Sequence, residues 1–215
     1  MEAATRNIGL ISLEAECDMR RLVFFVGGAG AGKTTLAKEL ARRRGMVLLD
    51  MDTLLRPAAE SIMAIAGHDP KDRDSTVYKS LCRDLGYRIT MDAALENVDI
   101  GTDTIVIGPF SKETEDRHWI GNELAKIGAS LQTVEVKVVI VYLENQEQHY
   151  RRIKARGLAM DSWKLAHWDE FSRSLAKREL QWELPAQSIL YLDNSQERNE
   201  ETITTLEQFV FHESN

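Results

Sequence analysis

Five short apolar runs alternate along the chain with stretches that carry apolar residues at helical spacing. The runs fall at 22–26, 46–49, 104–107, 136–143 and 188–192, and the helical patterns at 33–44, 57–66, 75–97, 115–127, 146–156, 162–183 and 197–211. In the runs LVFFV and VVIVYL no polar residue alternates with the apolar ones, the pattern of strands buried on both faces. Strands alternating with helices predict βαβ units, and so a mainly parallel five-stranded sheet between two helical layers. Within 162–183, Trp163, Trp168, Phe171, Leu175 and Trp182 form an apolar stripe and are read as packing. No repeat, low-complexity segment or linker interrupts the series. One domain is expected over 21–215, preceded by an N-terminal arm at 1–20.

The first run and the first helix are joined by GGAGAGKTT, Gly27 to Thr35. Gly27-x4-Gly32-Lys33-Thr34 is the P-loop, or Walker A, spacing. Glycines let the chain turn tightly and aim successive N–H groups at an anion with no Cβ in the way. The helix that follows adds the positive end of its dipole. The spacing assigns Gly28, Ala29, Gly30, Ala31, Gly32, Lys33, Thr34 and Thr35 to nucleotide phosphates. Lys33 is expected at the β- and γ-phosphates and the Thr34 hydroxyl at Mg²⁺. The expected fold class is an α/β P-loop NTPase, a three-layer α/β/α sandwich with a helical lid, and the expected cofactors are ATP and Mg²⁺.

The reaction depends on what else is present. The chain has no Asn-Lys-x-Asp for guanine, and no apolar strand ends in Asp-Glu as in ATPases that activate water. Small phosphotransferases remain. The second run continues as MVLLDMDTLLR, 46–56. Carboxylates at i and i+2 on an extended chain point the same way, so Asp50 and Asp52 are expected to face one pocket. Phosphoryl transfer needs one anion near the metal shell and another to orient and deprotonate the acceptor hydroxyl. Asp50 is assigned the first role and Asp52 the second, with Arg56 assigned to a polar or anionic part of the acceptor. The plainer reading makes Asp52 the N-cap of the helix that follows.

With GGAGAGKTT, Asp50-Met51-Asp52 after the second strand and a later basic segment, the sequence resembles a group of small P-loop kinases. That group includes relatives of shikimate kinase, gluconate kinase, zeta toxin, chloramphenicol phosphotransferase and the kinase half of polynucleotide kinase. The resemblance spans about 22–195 and implies an ATP-dependent phosphotransferase whose second acid contacts the acceptor hydroxyl. It also implies a loop against adenine after the last strand, here LYLDNS with Asp193 and Asn194. The third strand continues as IGPFSKETED, in place of the triple-glycine turn of shikimate kinase.

Arg152 and Arg156 stand four residues apart at a helix end, with Gly157 as C-cap. They are expected in a lid at about 150–170 that closes over ATP and neutralises charge on the transferred group, Arg156 being the first choice. The surface reading of the same helix pairs Glu147 with Arg151. Gly108, Pro109 and Phe110 end the third strand at the ligand-binding edge of the sheet. Gly108 is expected to allow close approach of the acceptor, and Pro109 and Phe110 to wall its pocket. His118 and Trp119 are further candidates for that pocket. An acceptor-binding insertion is expected over about 53–100, with most of Asp72, Arg73, Asp74, Lys79 and Arg83 solvated.

Composition narrows the partners. A net charge of −7 disfavours long polynucleotides. Basic residues do concentrate in ARRRG, 41–45, and YRRIKARG, 150–157, the first at a helix end where cations complement the dipole. No run approaches the roughly 18 apolar residues of a membrane span, and Glu14, Glu16 and Asp18 interrupt any signal-like segment. A cytoplasmic protein is expected, with Cys17 and Cys82 as free thiols. The expected function is transfer of the γ-phosphoryl group of ATP to a hydroxyl of a small molecule. Two readings stand beside it: a polynucleotide 5′-hydroxyl kinase, and a regulatory ATP-binding module without an acceptor. The acceptor's identity and the oligomeric state stay open at this level.

Overall fold

The computed structural model describes residues 19–158, 161–196 and 200–211. The expected arm, apart from its last two residues, lies outside the described residues, as does Cys17. The central strand β1, Arg20–Val26, pairs in parallel with β3, Thr104–Ile107, and with β4, Val134–Tyr142. Outside these, β2, Val47–Asp50, pairs with β3, and β5, Ile189–Asp193, with β4. The order β2-β3-β1-β4-β5 is parallel throughout. The expected sandwich is the observed one.

β1 shows why its sequence lacks polar punctuation. Leu22, Phe24 and Val26 enter one core cluster, while Val23 and Phe25 enter the other, and all five are fully buried. Each such side chain stabilises the fold by about 1.5–3 kcal/mol through burial. One face is covered by α1, Lys33–Arg44, through Leu36, Ala37 and Leu40, and by α8, Glu200–Phe211, through Ile203, Leu206 and Val210. The other is covered by α3, Thr76–Asp99, and α4, Trp119–Ala125. The ARRRG cluster ties α1 to α8 at the surface, Arg43 to Glu200 at 2.8 Å and Arg44 to Glu207 at 2.9 Å.

Two elements differ from the sequence pattern. Helix α2 spans Met51–Ile65 and so begins six residues before Pro57. Its cap is Asp50, whose Oδ1 accepts from the Asp52 N–H at 3.0 Å. Pro57 resembles a first-turn residue in sequence but sits inside the helix, where it offers no N–H to the Thr53 carbonyl. α2 packs closely on α3, since a Cβ on Gly86 would stand 2.7 Å from the Leu55 side chain. Cys82 is buried in that seam with Leu55, Ala59 and Met63 as a free thiol.

The second difference is 162–183, which is not one helix. It forms α6, Ser162–Ala166, α7, Trp168–Phe171, a 3-10 turn at Ser172–Leu175, and then irregular chain. The aromatic stripe is divided among separate contacts. Trp163 stacks on His167 at 4.7 Å, Trp168 meets Tyr150 edge-on at 5.0 Å, and Trp182 stacks on Trp119 at 5.1 Å in the core. Among the described residues no helix is long and apolar enough to cross a membrane.

Candidate active site

The glycine loop leaves the C-terminal end of β1 and opens directly into α1. Its glycines stand where side chains have no room. A Cβ on Gly27 would lie 2.1 Å from the Val141 carbonyl oxygen, and one on Gly32 2.3 Å from Asn194 Nδ2, both at positive φ. Lys33 curls back over the loop, its ammonium donating to the Gly27 and Gly28 carbonyls at 2.8 Å each. Burial lowers its pKa to about 8. Asp52 and Asp50 pull the value up, while Arg156 and Arg178 push it further down.

The loop, α2, α3 and the segment after α5, Gln146–Arg156, enclose a cavity of about 900 Å³. Its lining includes Gly28, Ala29, Gly30, Gly32, Lys33, Thr34 and Thr35 from the loop. Ala31 does not reach it: the side chain is fully buried in the core against α1. Asp50 and Asp52 line the same cavity, though not as neighbours on extended chain. Asp52 is in the first turn of α2, and the Asp50 carboxylate bridges to it, accepting its amide through Oδ1 and the Thr34 hydroxyl through Oδ2 at 3.1 Å. The cap is therefore Asp50, and Asp52 is left exposed with its carboxylate unused by the helix. Arg56, one turn further along α2, also lines the cavity and is exposed.

Arg152 and Arg156 reach the cavity from α5, already engaged. Arg152 donates to the Asn194 carbonyl at 2.7 Å, and Arg156 donates to both oxygens of Asp161, whose side chain is almost wholly buried. Lys164 donates to the same carboxylate at 3.2 Å. Beneath the loop, His149 donates from Nδ1 to the Ala29 carbonyl at 2.9 Å, which leaves Nε2 buried without a partner among the described residues. Burial pushes this imidazole's pKa down, and the charges of Lys33 and Arg152 add to the shift.

Several expected positions fall elsewhere. Phe110 is fully buried and packs edge-on against Phe24 at 5.4 Å, so it belongs to the core and not to a pocket wall. Gly108 and Pro109 do line the cavity. Gly108 is small because the Phe110 ring lies against it, 2.8 Å from where a Cβ would be. Asp193 is outside the lining, its carboxylate accepting from the Ser195 N–H and hydroxyl as in an Asx turn. Asn194 does line the cavity and donates to the Ala31 carbonyl at 2.7 Å, holding the loop from below. His118 is exposed and Trp119 joins the core stack, both away from the cavity.

Other lining residues carried no motif. Arg73, Asp74, Lys79 and Arg83, expected to be mostly solvated, face the cavity together with Tyr78 and Tyr87. Arg178 lies in irregular chain that the sequence pattern makes helical, so its direction was not legible. Among the described residues no cluster of three His, Cys, Asp or Glu side chains forms a metal cage. One carboxylate beside a threonine hydroxyl is nonetheless a fitting oxygen donor set for Mg²⁺, which completes its shell with water and phosphate oxygens.

An all-parallel sheet of order 2-3-1-4-5, with a glycine loop between its central strand and α1, defines the small P-loop kinase fold. Residues 22–179 match the family described as AAA domain, and the chain belongs to that family. No curated protein matches the sequence. Among solved structures, a protein of Chloroflexus aurantiacus superposes with a TM-score of 0.61 at 16% identity, covering 89% of this chain and 98% of that one. A sugar kinase from Janibacter sp. HTCC2649 gives 0.56 at 19% identity, covering 89% and 94%. The Mycobacterium tuberculosis APS kinase CysC in complex with AMPPNP and APS gives 0.53 at 18%, covering 89% and 97%. At these identities the likeness is one of fold.

Proposed function

We propose that this chain is a phosphotransferase that moves the γ-phosphoryl group of ATP to a hydroxyl of a small molecule. The observation that carries the reading is the Asp50 bridge, which sets an uncommitted carboxylate, Asp52, beside the phosphate loop in one cavity. A regulatory module that only binds nucleotide has no need of a second acid there. In this reading the loop amides and Lys33 hold the phosphates. Asp52 accepts the proton of the acceptor hydroxyl as its oxygen attacks the γ-phosphorus, and ADP leaves in line. In this reading Arg156 and Arg152, which line the cavity from α5, balance charge and exclude water. Thr34 and Asp50 would hold Mg²⁺, which would offset the charge of the phosphates. The sugar kinase and APS kinase of like fold support the class of reaction and leave the acceptor open.

The test is a coupled assay of ADP formation with Mg²⁺ against a library of hydroxyl-bearing sugars, nucleosides, antibiotics and oligonucleotides. Acceptor-stimulated ADP release with a phosphorylated product is expected. Nucleotide binding with turnover that no acceptor changes would remove the reading.

A further inference from the structure

Ten lysine and arginine side chains and only three aspartates line the cavity, in a chain of net charge −7. Lys33, Arg152 and Arg156 lie on the nucleotide side, around the loop and α5. A cationic surplus is left on the other side, where α2 and α3 stand beside β2 and β3. Part of it is matched from outside the cavity: Arg83 donates to both oxygens of Glu113 at 3.1 Å, and Arg73 reaches Glu60 at 3.4 Å.

Arg178 is not matched in this way. Its Nε is buried and has no hydrogen-bond partner among the described residues. Buried donors without acceptors are exceptional in folded proteins, so one that lines a cavity points to a ligand that supplies the acceptor. The chain around Arg178 is fixed on the acceptor side. The Trp182 indole donates to the Glu113 carbonyl at 2.7 Å, and the Gln181 N–H to the Thr114 carbonyl at 2.9 Å, both in the segment that follows β3. Arg178 lines the same cavity as Lys33 of the phosphate loop and Tyr87 of α3, and its positive charge pulls the pKa of both downward.

We propose that Arg178, with Arg56, forms an anion subsite, and that the acceptor carries a phosphate or carboxylate group in addition to the hydroxyl presented to Asp52. This rests on the phosphotransferase reading and narrows its substrate class. The planar fork of an arginine suits either oxyanion, and a charge-assisted contact of this kind is about twice as strong as a neutral one.

The test loads the whole chain with Mg²⁺ and AMPPNP, so that the glycine loop is filled, and titrates glycerol 3-phosphate, glycerate and glycerol by calorimetry. One of the two anions should bind at least tenfold more tightly than glycerol, and which one distinguishes a phosphate from a carboxylate acceptor. Arg178→Ala should weaken that anion at least tenfold while AMPPNP affinity changes less than twofold. Arg178→Lys, which keeps the charge and the side-chain stem, should recover part of the loss, with thermal melting confirming that both variants are folded. Equal binding of all three probes, no anion binding, or an anion affinity untouched by Arg178→Ala would overturn the proposal. Anion binding that depends on Arg178 without acceptor-stimulated ADP formation would keep the subsite and remove the phosphotransferase reading, so the two fail separately.

Discussion

The Thr34 hydroxyl lies 3.1 Å from Asp50 Oδ2, while Oδ1 of the same carboxylate caps α2 at the Asp52 amide. One side chain therefore joins the first turn of α1, where phosphates are expected, to the first turn of α2, where the acceptor hydroxyl is expected. The distance between loop and base is set by a carboxylate's two oxygens and not by flexible chain. Asp50 has a structural task that can be separated from its proposed one.

Replacing it tests that division. Asp50→Ala removes the cap and should destabilise the protein by about 0.5–2 kcal/mol in denaturant unfolding. Asp50→Asn keeps an oxygen for the Asp52 amide and should retain most of that stability, yet weaken Mg²⁺-dependent AMPPNP binding. Equal stability loss in both variants would mean that the cap is not what Asp50 supplies.

Asp52→Asn should leave the fold intact, because the carboxylate is exposed and caps nothing. Transfer to the acceptor should fall by about 10²–10⁴-fold, the usual loss on removing a general base. AMPPNP affinity should stay within a few-fold of the parent by calorimetry. Turnover near the parent rate would reassign the base.

The extent to which this site was legible follows from what each residue contacts. The phosphate loop could be read because its spacing is itself the geometry: the turn admits no Cβ at Gly27 or Gly32, so the pattern and the structure are one constraint. Asp50 and Asp52 were legible as a pair, but their arrangement was not, since Pro57 imitates a helix start and concealed the six residues of α2 before it. Phe110 was misplaced because a hydrophobic residue beside a strand end serves a pocket wall or a core equally well in sequence. Its φ of 43° turns the ring inward beneath Gly108. The lid stripe failed for a related reason. Helical spacing records that Trp163, Trp168 and Trp182 pack against something, and three different partners take them: Trp182 is buried in the core, while Trp163 and Trp168 are only half-buried. Arg178 has no periodic or motif signature at all, because its position depends on two long-range hydrogen bonds, one from the Trp182 indole and one from the Gln181 N–H.

The glycines offer a purely steric test. Gly27 and Gly45 both adopt positive φ, but only Gly27 is crowded: a Cβ there meets the Val141 oxygen at 2.1 Å, whereas nothing lies within 4 Å at Gly45. Gly45→Ala should therefore cost about 1–2 kcal/mol, the left-handed penalty alone. Gly27→Ala should cost about 3 kcal/mol or more and displace β4 from the loop. Similar unfolding midpoints for the two variants would contradict this packing.

Lys33 gives the pH dependence. In the free chain its pKa is lowered to about 8, chiefly by burial, from an ordinary value of 10.5. Below pH 8 the ammonium is already present, so nucleotide binding needs no proton. Phosphates beside it favour the charged form and raise its pKa, so above pH 8 binding must take up a proton. AMPPNP affinity should be level below pH 8 and fall as pH rises through that value. At pH 9 the calorimetric enthalpy should depend on the buffer's ionisation heat, with uptake of up to about one proton per nucleotide. In the free chain the sign is reversed. Between about pH 8 and 10.5 the unfolded state holds the proton that the folded state has lost, so folding stability should rise over that interval. Lys33→Arg, which stays charged throughout, should abolish both slopes. A buffer-independent enthalpy at pH 9 in the parent chain would mean that the loop does not depress Lys33.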